Sequence, residues 1–209
     1  MTRSRHRIHG NPFNLHGEVE IPDWNVVFGR AAPFALDIGF GAGAFTLELA
    51  RRHPEFNVIG VEIRTHLVDD LNDAARKQKL TNLHAVLANA NLHLKELVPD
   101  NSVVLTTINF PDPWYKKRHH KRRVVQPEWL ETLAGKLQTE ATVHIATDYE
   151  PGALHAREVF DSSPLFRNLD GNGCWAPEST TGIATERERT HLARNEPIYR
   201  LRYRRCDLP

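Results

Sequence analysis

Cysteine, methionine and long apolar runs are all scarce in this chain of 209 residues. Its two cysteines, Cys174 and Cys206, lie too far apart in sequence to suggest a disulfide framework or a zinc site. No run approaches the ~18 apolar residues that a membrane helix needs. The basic segment 1–17 lacks the apolar centre of a secretion signal. The twelve histidines show no ligand spacing. These absences predict a cytoplasmic protein that holds no metal and spans no membrane.

A strong net charge of either sign is also missing, because the formal net charge is +1 although 25% of the residues are charged. The cations are nevertheless clustered, at the N-terminus, in segment 116–123 and along segment 187–205. The field close to each cluster, rather than the net charge, governs the attraction of a polyanion. A solvated surface is an equally good explanation of the C-terminal cluster. The chain length and the 40% hydrophobic content predict one globular domain with a full-sized core.

Short apolar runs alternate with stretches of helical spacing over most of the chain. Apolar runs predict buried strands over 34–38, 57–61, 84–87, 103–110 and 142–147. Helical spacing predicts helices over 44–52, 65–79, 92–97, 127–137 and 151–161. Strands that alternate with helices at this interval predict an α/β fold, in which helices cover both faces of a mainly parallel sheet.

The last fifth of the sequence departs from this alternation. Residues 162–197 are rich in Gly, Pro, Asn, Ser and Thr, which predicts a loop with one short strand at 165–169. Residues 198–204 alternate between arginine and apolar or aromatic side chains, apart from the first. That alternation predicts a half-buried antiparallel strand that closes the sheet.

A glycine-rich turn follows the first predicted strand. The sequence LDIGFGAG at 36–43 places Asp37, Gly39, Gly41 and Gly43 there, and glycines let the backbone turn sharply and approach a ligand closely. Glu62 ends the second strand, at the interval from which an acid accepts hydrogen bonds from ribose hydroxyls. The glycine spacing also fits a dinucleotide site. Asp37 favours a nucleoside that carries an ammonium or sulfonium, because an acid would repel a pyrophosphate.

Polar side chains also follow the third and fifth predicted strands. Asn89 is placed to read an adenine edge, or to cap the helix that follows. Asp148 is a further carboxylate at the same edge of the sheet, and it too is a candidate helix cap. Both residues are therefore candidates for a binding site and for a purely structural role.

The most informative segment is 109–127, NFPDPWYKKRHHKRRVVQP, which follows directly on the fourth strand. Asp112 lies between two prolines that stiffen its backbone, and Trp114 offers a face on which a base can stack. Lys116 and Arg118 suit a phosphate or the acceptor edge of guanine. The cations of segment 116–123, here termed the cationic strip, predict a polyanionic partner; they are Lys116, Lys117, Arg118, Lys121, Arg122 and Arg123.

These motifs together resemble the bacterial tRNA (guanine-N7)-methyltransferases over about 34–203. The most specific part is FPDPWYKKRHHKRRVVQPEWL at 110–130, supported by LDIGFGAG at 36–43 and ATDYEPGA at 146–153. The resemblance implies a Rossmann-like class I methyltransferase fold. It also implies transfer of a methyl group from S-adenosylmethionine to N7 of a guanosine in the variable loop of tRNA.

The resemblance assigns a role to each motif residue. Asp112 would be the active-site carboxylate, and the residues that line the S-adenosylmethionine site would be Asp37, Gly39, Gly41, Gly43, Glu62, Asn89 and Asp112. The substrate contacts would be Lys116, Arg118, Asp148, Thr185 and Glu188, of which the last two match the family's Thr-x-x-Glu segment. From their charge rather than from the resemblance, we expect the tRNA backbone to be held by Lys117, Lys121, Arg122 and Arg123. No metal is implied.

Two positions depart from the family pattern. Asn89 stands where the family usually has an acid, and Arg189-Thr190 stands where it usually has Arg-Gly. We expect one domain over 1–209, divided into an N-terminal segment (1–33), a cofactor-binding core (34–161), and a substrate loop with the closing strand (162–209).

Three other functions are compatible with the same residues. Segment 109–114 loosely resembles the Asp-Pro-Pro-Tyr turn of methyltransferases that act on an exocyclic amine of a base. A non-catalytic RNA-binding protein on the same fold is the second alternative, and an NAD-dependent enzyme is the third.

Overall fold

The structure is a computed structural model that describes residues 15, 19–179 and 181–207. Most of the basic N-terminal segment, 1–14 and 16–18, lies outside the described residues. Among the described residues one sheet contains seven strands: β1 Phe34–Ile38, β2 Asn57–Glu62, β3 Leu83–Leu87, β4 Val103–Asn109, β5 Leu137–Thr147, β6 Phe166–Asn168 and β7 Tyr199–Arg205. Seven α-helices accompany it: α1 Trp24–Phe28, α2 Ala44–Arg52, α3 Thr65–Lys77, α4 Ala90–Leu97, α5 Pro127–Lys136, α6 Glu150–Asp161 and α7 Glu186–Ala193.

The strand order is β3-β2-β1-β4-β5-β7-β6. The first five strands run parallel, and β7 is antiparallel to both β5 and β6. The predicted α/β fold with a mainly parallel sheet and an antiparallel closing strand is therefore confirmed. Because parallel strands end at the same edge, the polar residues that follow β1 to β5 are brought together there.

The core lies in two layers, one on each face of the sheet. Helices α2 and α3 pack on one face, and helices α1, α4, α5 and α6 pack on the other. Successive residues of β1 serve opposite layers, since Ala35 packs with α2 and α3 while Leu36 packs on the other side. Both are completely buried, which explains why the strand reads as a continuous apolar run.

Most predicted elements between 34 and 161 begin and end within two residues of the observed ones. The exception is β5, which begins at Leu137 rather than at 142. Its early residues Gln138, Thr139 and Glu140 are polar and at least partly exposed, so they carry no apolar signal.

The prediction of loop over 162–197 is wrong in part. The short strand is present as Phe166–Asn168, but Glu186–Ala193 is a helix. The single buried residue of this helix is Glu188, so the helix lacks the apolar stripe that identifies most surface helices. A 3-10 helix at Lys117–Arg122 and the short helix α1 are further elements that the sequence did not predict.

Candidate active site

The glycine turn joins β1 to α2 with a left-handed backbone at three positions. The φ angles of Gly39, Gly41 and Gly43 are +73°, +62° and +79°, in a region that other residues rarely adopt. At Gly43 a Cβ atom would also lie 2.8 Å from Cδ1 of Leu71, so glycine lets α2 begin close against α3. A Cβ atom on Gly39 would meet nothing within 4 Å, because this residue borders open space.

The Glu62 cleft is the first of two clefts that Gly39 lines. Glu62, Asn89 and Asp112 contribute to its walls, together with Arg64, Trp114 and Arg122. The cleft thus brings together residues from the ends of β1, β2, β3 and β4. It contains several of the side chains that the sequence predicted for cofactor binding.

Glu62 is a buried acid held by several donors. Its Oε1 accepts from the backbone N of Ile63 at 2.8 Å and from Nε of Arg64 at 3.0 Å. Its Oε2 accepts from Nη2 of Arg64 at 2.7 Å and from the backbone N of Gly41 at 3.2 Å. A buried carboxylate is costly unless it is paired in this way. Arg64 was not predicted for the site, and its only sequence signal was its position two residues after Glu62.

Asn89 caps helix α4 and also lines the Glu62 cleft. Its Oδ1 accepts from the backbone N of Asn91 at 3.0 Å, and its own backbone N donates to Nδ1 of His93 at 3.0 Å. The alternative of a helix cap is therefore confirmed for Asn89. The cap and a position beside the cleft are compatible, and contact with the cofactor stays a prediction.

The Pro-Asp-Pro turn is flanked by strained backbone on both sides. Phe110 and Trp114 have φ angles of +49° and +44°, which is unusual for bulky residues. Such conformations persist where the surrounding structure holds them, and they cluster at functional sites. The half-buried Asp112 between them lines the Glu62 cleft and also a smaller cavity, the Arg123 pocket, with Arg123, Tyr149 and His155.

Asp37 lies in the glycine-turn cleft, the second cleft that Gly39 lines. This cleft is bounded by the turn itself, by Asn109 and Phe110, and by the segment Thr185 to Arg187. Asp37 is 1% exposed and accepts from Oγ1 of Thr46 at 2.6 Å and of Thr107 at 2.7 Å. Burial raises the pKa of Asp37 to about 6, and the charge of Glu62 adds to the rise against the opposing hydrogen bonds.

Asp148 is engaged by helix α7. Its Oδ2 accepts from Nε and Nη2 of Arg187 at 3.1 and 2.6 Å, and it lies 3.0 Å from Nε2 of His191. Tyr149, rather than Asp148, is the N-cap residue of α6, so the alternative of a helix cap is wrong for Asp148. Arg187 and His191 were not predicted for the site, because neither lies in a motif that suggested a partner for Asp148.

The Thr-x-x-Glu segment forms the beginning of α7. Thr185 is the N-cap residue, and its Oγ1 accepts from the backbone N of Glu188 at 3.0 Å. Glu188 is 2% exposed, and its Oε1 pairs with Nε and Nη2 of Arg200 at 2.7 and 2.6 Å. Thr185 also lines the glycine-turn cleft. The carboxylate of Glu188, by contrast, is paired with Arg200 of strand β7.

The cationic strip divides into exposed and enclosed members. Lys116, Lys117, Arg118 and Lys121 are exposed along the 3-10 helix. The guanidinium of Arg122 lies 5.0 Å from the centre of the Trp114 ring and lines the Glu62 cleft. Arg123 is 8% exposed, and burial lowers the pKa of its guanidinium below the ordinary value. The four exposed members face solvent most fully, so an RNA backbone can reach them directly, whereas Arg122 is only partly exposed.

Membrane-spanning helices and clusters of metal ligands are both absent from the described residues. None of their helices combines the length and the apolar character needed to cross a membrane. Across 19–179 and 181–207, no three His, Cys, Asp or Glu side chains are grouped as a metal site would require.

Comparison with known proteins first defines the class. A family model described as "Putative methyltransferase" matches residues 31–201. The crystal structure of the 16S rRNA methyltransferase KamB has the same fold, with a TM-score of 0.60 over 90% of this chain and 95% of that chain at 18% identity. The protein therefore belongs to a methyltransferase family and has the fold of this rRNA methyltransferase.

Sequence relatives then define the family. The tRNA (guanine-N(7)-)-methyltransferase of Synechococcus elongatus is 41% identical over 208 residues, which cover 96% of each chain. That of Thermosynechococcus vestitus is 38% identical over 205 residues, which cover 97% of this chain and 95% of the relative. The chain belongs to the tRNA (guanine-N7)-methyltransferase family.

Proposed function

We propose that this protein transfers a methyl group from S-adenosylmethionine to N7 of a guanosine in the variable loop of tRNA. The observation that carries the proposal is the meeting of two clefts at Gly39, one of which is lined by Asp112 and by Arg122 of the cationic strip. That arrangement supports a nucleoside site, a carboxylate and a surface for a polyanion at one edge of the sheet.

The shape of the clefts suits a nucleoside joined to an amino acid. Gly39 lines both clefts, and the open space beside its Cα leaves room for a ligand to pass from one to the other. In the Glu62 cleft, the carboxylate of Glu62 would accept from the ribose hydroxyls, and Asn89 would contact the adenine. In the glycine-turn cleft, the buried acid Asp37 would face the ammonium of the amino-acid portion.

Asp112 and Asp148 would provide the remaining polar contacts of the reaction centre. When bound, S-adenosylmethionine supplies a methyl group already activated by its sulfonium. Guanine N7 has a lone pair in the plane of the ring and carries no proton, so no general base is required. Catalysis then depends on positioning and on a carboxylate, Asp112, that favours positive charge on the purine. Asp148 would accept from the N1–H and the N2 amine of guanine, with Lys116 beside the same base.

The exposed cations would hold the tRNA. Lys117, Arg118 and Lys121 are exposed on the same 3-10 helix whose Arg122 lines the Glu62 cleft, so phosphates of a bound tRNA can approach them. Neutralisation of phosphates by such side chains releases counterions, so the affinity should fall as the salt concentration rises.

The decisive experiment maps the methylated atom. Unmodified tRNA is incubated with the protein and labelled S-adenosylmethionine, and the product is then cleaved chemically at 7-methylguanosine. We expect one labelled site that cleaves, and no label in a control tRNA whose variable-loop guanosine is replaced by adenosine. Label without cleavage would indicate an exocyclic amine as the acceptor. Absence of label would indicate a non-catalytic RNA-binding protein, and either result would overturn the proposal.

A further inference from the structure

Arg187 lies between the glycine-turn cleft and the carboxylate of Asp148. Its side chain lines the glycine-turn cleft together with Asp37 and Asn109. It also donates from Nε and Nη2 to Oδ2 of Asp148, at 3.1 and 2.6 Å. Its Cζ lies 5.4 Å from the centre of the Phe110 ring, which is buried beside the same cleft. The guanidinium is therefore positioned between the glycine turn and the substrate side of the site.

The charges of the glycine-turn cleft match a zwitterion. An α-amino acid group carries an ammonium and a carboxylate a few bonds apart. Asp37 supplies a buried acid at the floor of the cleft, and Arg187 supplies a cation at its rim. The planar guanidinium suits a carboxylate because it offers two parallel N–H donors.

We propose that Arg187 binds the carboxylate of the amino-acid portion of S-adenosylmethionine, and that this contact weakens its ion pair with Asp148. The inference rests on the proposed function for the identity of the ligand and for the role of Asp148. It adds a cofactor contact from helix α7 and a physical link between the cofactor site and the guanosine site.

The ion pair between Arg187 and Asp148 is suited to exchange. The Arg187 side chain is 42% exposed, and exposed pairs contribute little to stability because water screens them. A guanidinium shared between two carboxylates binds each less strongly than it binds one. His191 stays beside Oδ2 of Asp148 and keeps this side chain in place. Cofactor binding thus frees Oδ2 of Asp148 to accept hydrogen bonds from the N1–H and N2 amine of guanine.

A calorimetric comparison of two ligands tests the carboxylate contact. S-adenosylhomocysteine has the amino-acid carboxylate, and decarboxylated S-adenosylhomocysteine lacks it but keeps the ammonium. We expect the parent protein to bind the decarboxylated ligand about tenfold more weakly, as expected for one charge-assisted contact. Arg187→Gln should bind both ligands with the same, weaker affinity. If the variant discriminates between them as strongly as the parent, the contact does not exist.

Arg194→Gln is the matched control. Arg194 is an exposed arginine at the C-terminal end of the same helix, away from the cleft. Its variant should reproduce the parent's affinities for both ligands, and a loss equal to that of Arg187→Gln would assign the effect to net charge. If neither ligand binds the parent protein, the cofactor assignment of the proposed function fails, and this proposal fails with it. Equal binding by parent and Arg187→Gln overturns this proposal alone.

The affinity for tRNA tests the link between the two sites. We expect S-adenosylhomocysteine to tighten tRNA binding by the parent protein about fivefold, near the lower end of typical coupling between sites. Arg187→Gln should show the same tRNA affinity with and without the ligand, because Asp148 is already released. An undiminished fivefold effect in the variant would overturn the link.

Discussion

Asp37 is a residue whose ionisation opposes folding. Its pKa in the folded protein is about 6, above the ordinary value of 3.8, because burial disfavours the charged form. The folded state therefore holds a proton that the unfolded chain has already lost between these two pH values. The contribution of this group to the free energy of unfolding is fully present below pH ~4 and is lost as the pH rises through about 6. The loss amounts to roughly 3 kcal/mol, because each pKa unit corresponds to about 1.4 kcal/mol.

We predict that Asp37→Asn flattens this dependence. The variant keeps the side-chain size and cannot ionise, so its free energy of unfolding should fall less than the parent's between pH 4.5 and pH 7.5. Urea unfolding at several pH values measures the difference. Asp70→Asn, at an exposed position of α3, serves as a control and should follow the parent. Parallel profiles for the parent and Asp37→Asn would contradict the prediction.

Asp112 should affect turnover far more than folding. Asp112→Asn preserves the shape of the Pro-Asp-Pro turn but removes the charge proposed to favour the cationic purine. We expect kcat to fall by about 100-fold, as it does when a preorganised electrostatic contact is removed. The free energy of unfolding should change little, which separates the effect from misfolding. A parental kcat in single-turnover assays on tRNA would remove Asp112 from the reaction centre.

At the scale of the element, helix α7 depends on its first turn. Thr185 accepts from the backbone N of Glu188, as the first half of a capping box does. Thr185→Ala should lower the free energy of unfolding by about 1 kcal/mol, and Thr185→Ser should restore most of it. Hydrogen exchange of the amides at 186–189 should quicken in the alanine variant. Unchanged exchange in that variant would show that α7 does not need its cap.

Helix α7 is an element that the sequence pattern did not predict. The elements between 34 and 161 were largely predictable because each buried strand reads as an apolar run and each helix has a buried apolar side. Helix α7 buries an acid, Glu188, against Arg200, so its sequence has no apolar periodicity that would predict a helix. The Thr-x-x-Glu pattern could have predicted its start as a capping box.

Contacts across the sheet edge were beyond prediction for a different reason. Arg187 and Asp148 are 39 residues apart, and their ion pair exists only because α7 folds back over the end of β5. Arg123 likewise belongs to a run of cations in the sequence but is enclosed in the structure. Local patterns identify which residue types are present, whereas tertiary packing decides which of them face solvent.

At the scale of the whole molecule, the exposed cations should set the salt dependence of tRNA binding. Replacing Lys117, Arg118 and Lys121 together by glutamine should reduce the slope of log affinity against log salt by about 2, since each phosphate contact contributes somewhat less than one. The matched control replaces Arg76, Lys77 and Lys79, exposed at and beyond the C-terminal end of α3 and away from both clefts. Filter binding at several salt concentrations measures the slope for each variant. Equal slopes for the strip variant and the control variant would show that the strip is not part of the tRNA interface.

The order of the strands has a consequence for synthesis. Strand β7 follows β6 in the chain but lies between β5 and β6 in the sheet. While the ribosome is still making the connection before Tyr199, β6 has no edge to join, and β5 leaves unpaired the edge over 142–147 that β7 later covers. An open edge of that length invites pairing with other chains. A nascent chain stalled there would be an aggregation hazard, and β7 removes the hazard by covering β5.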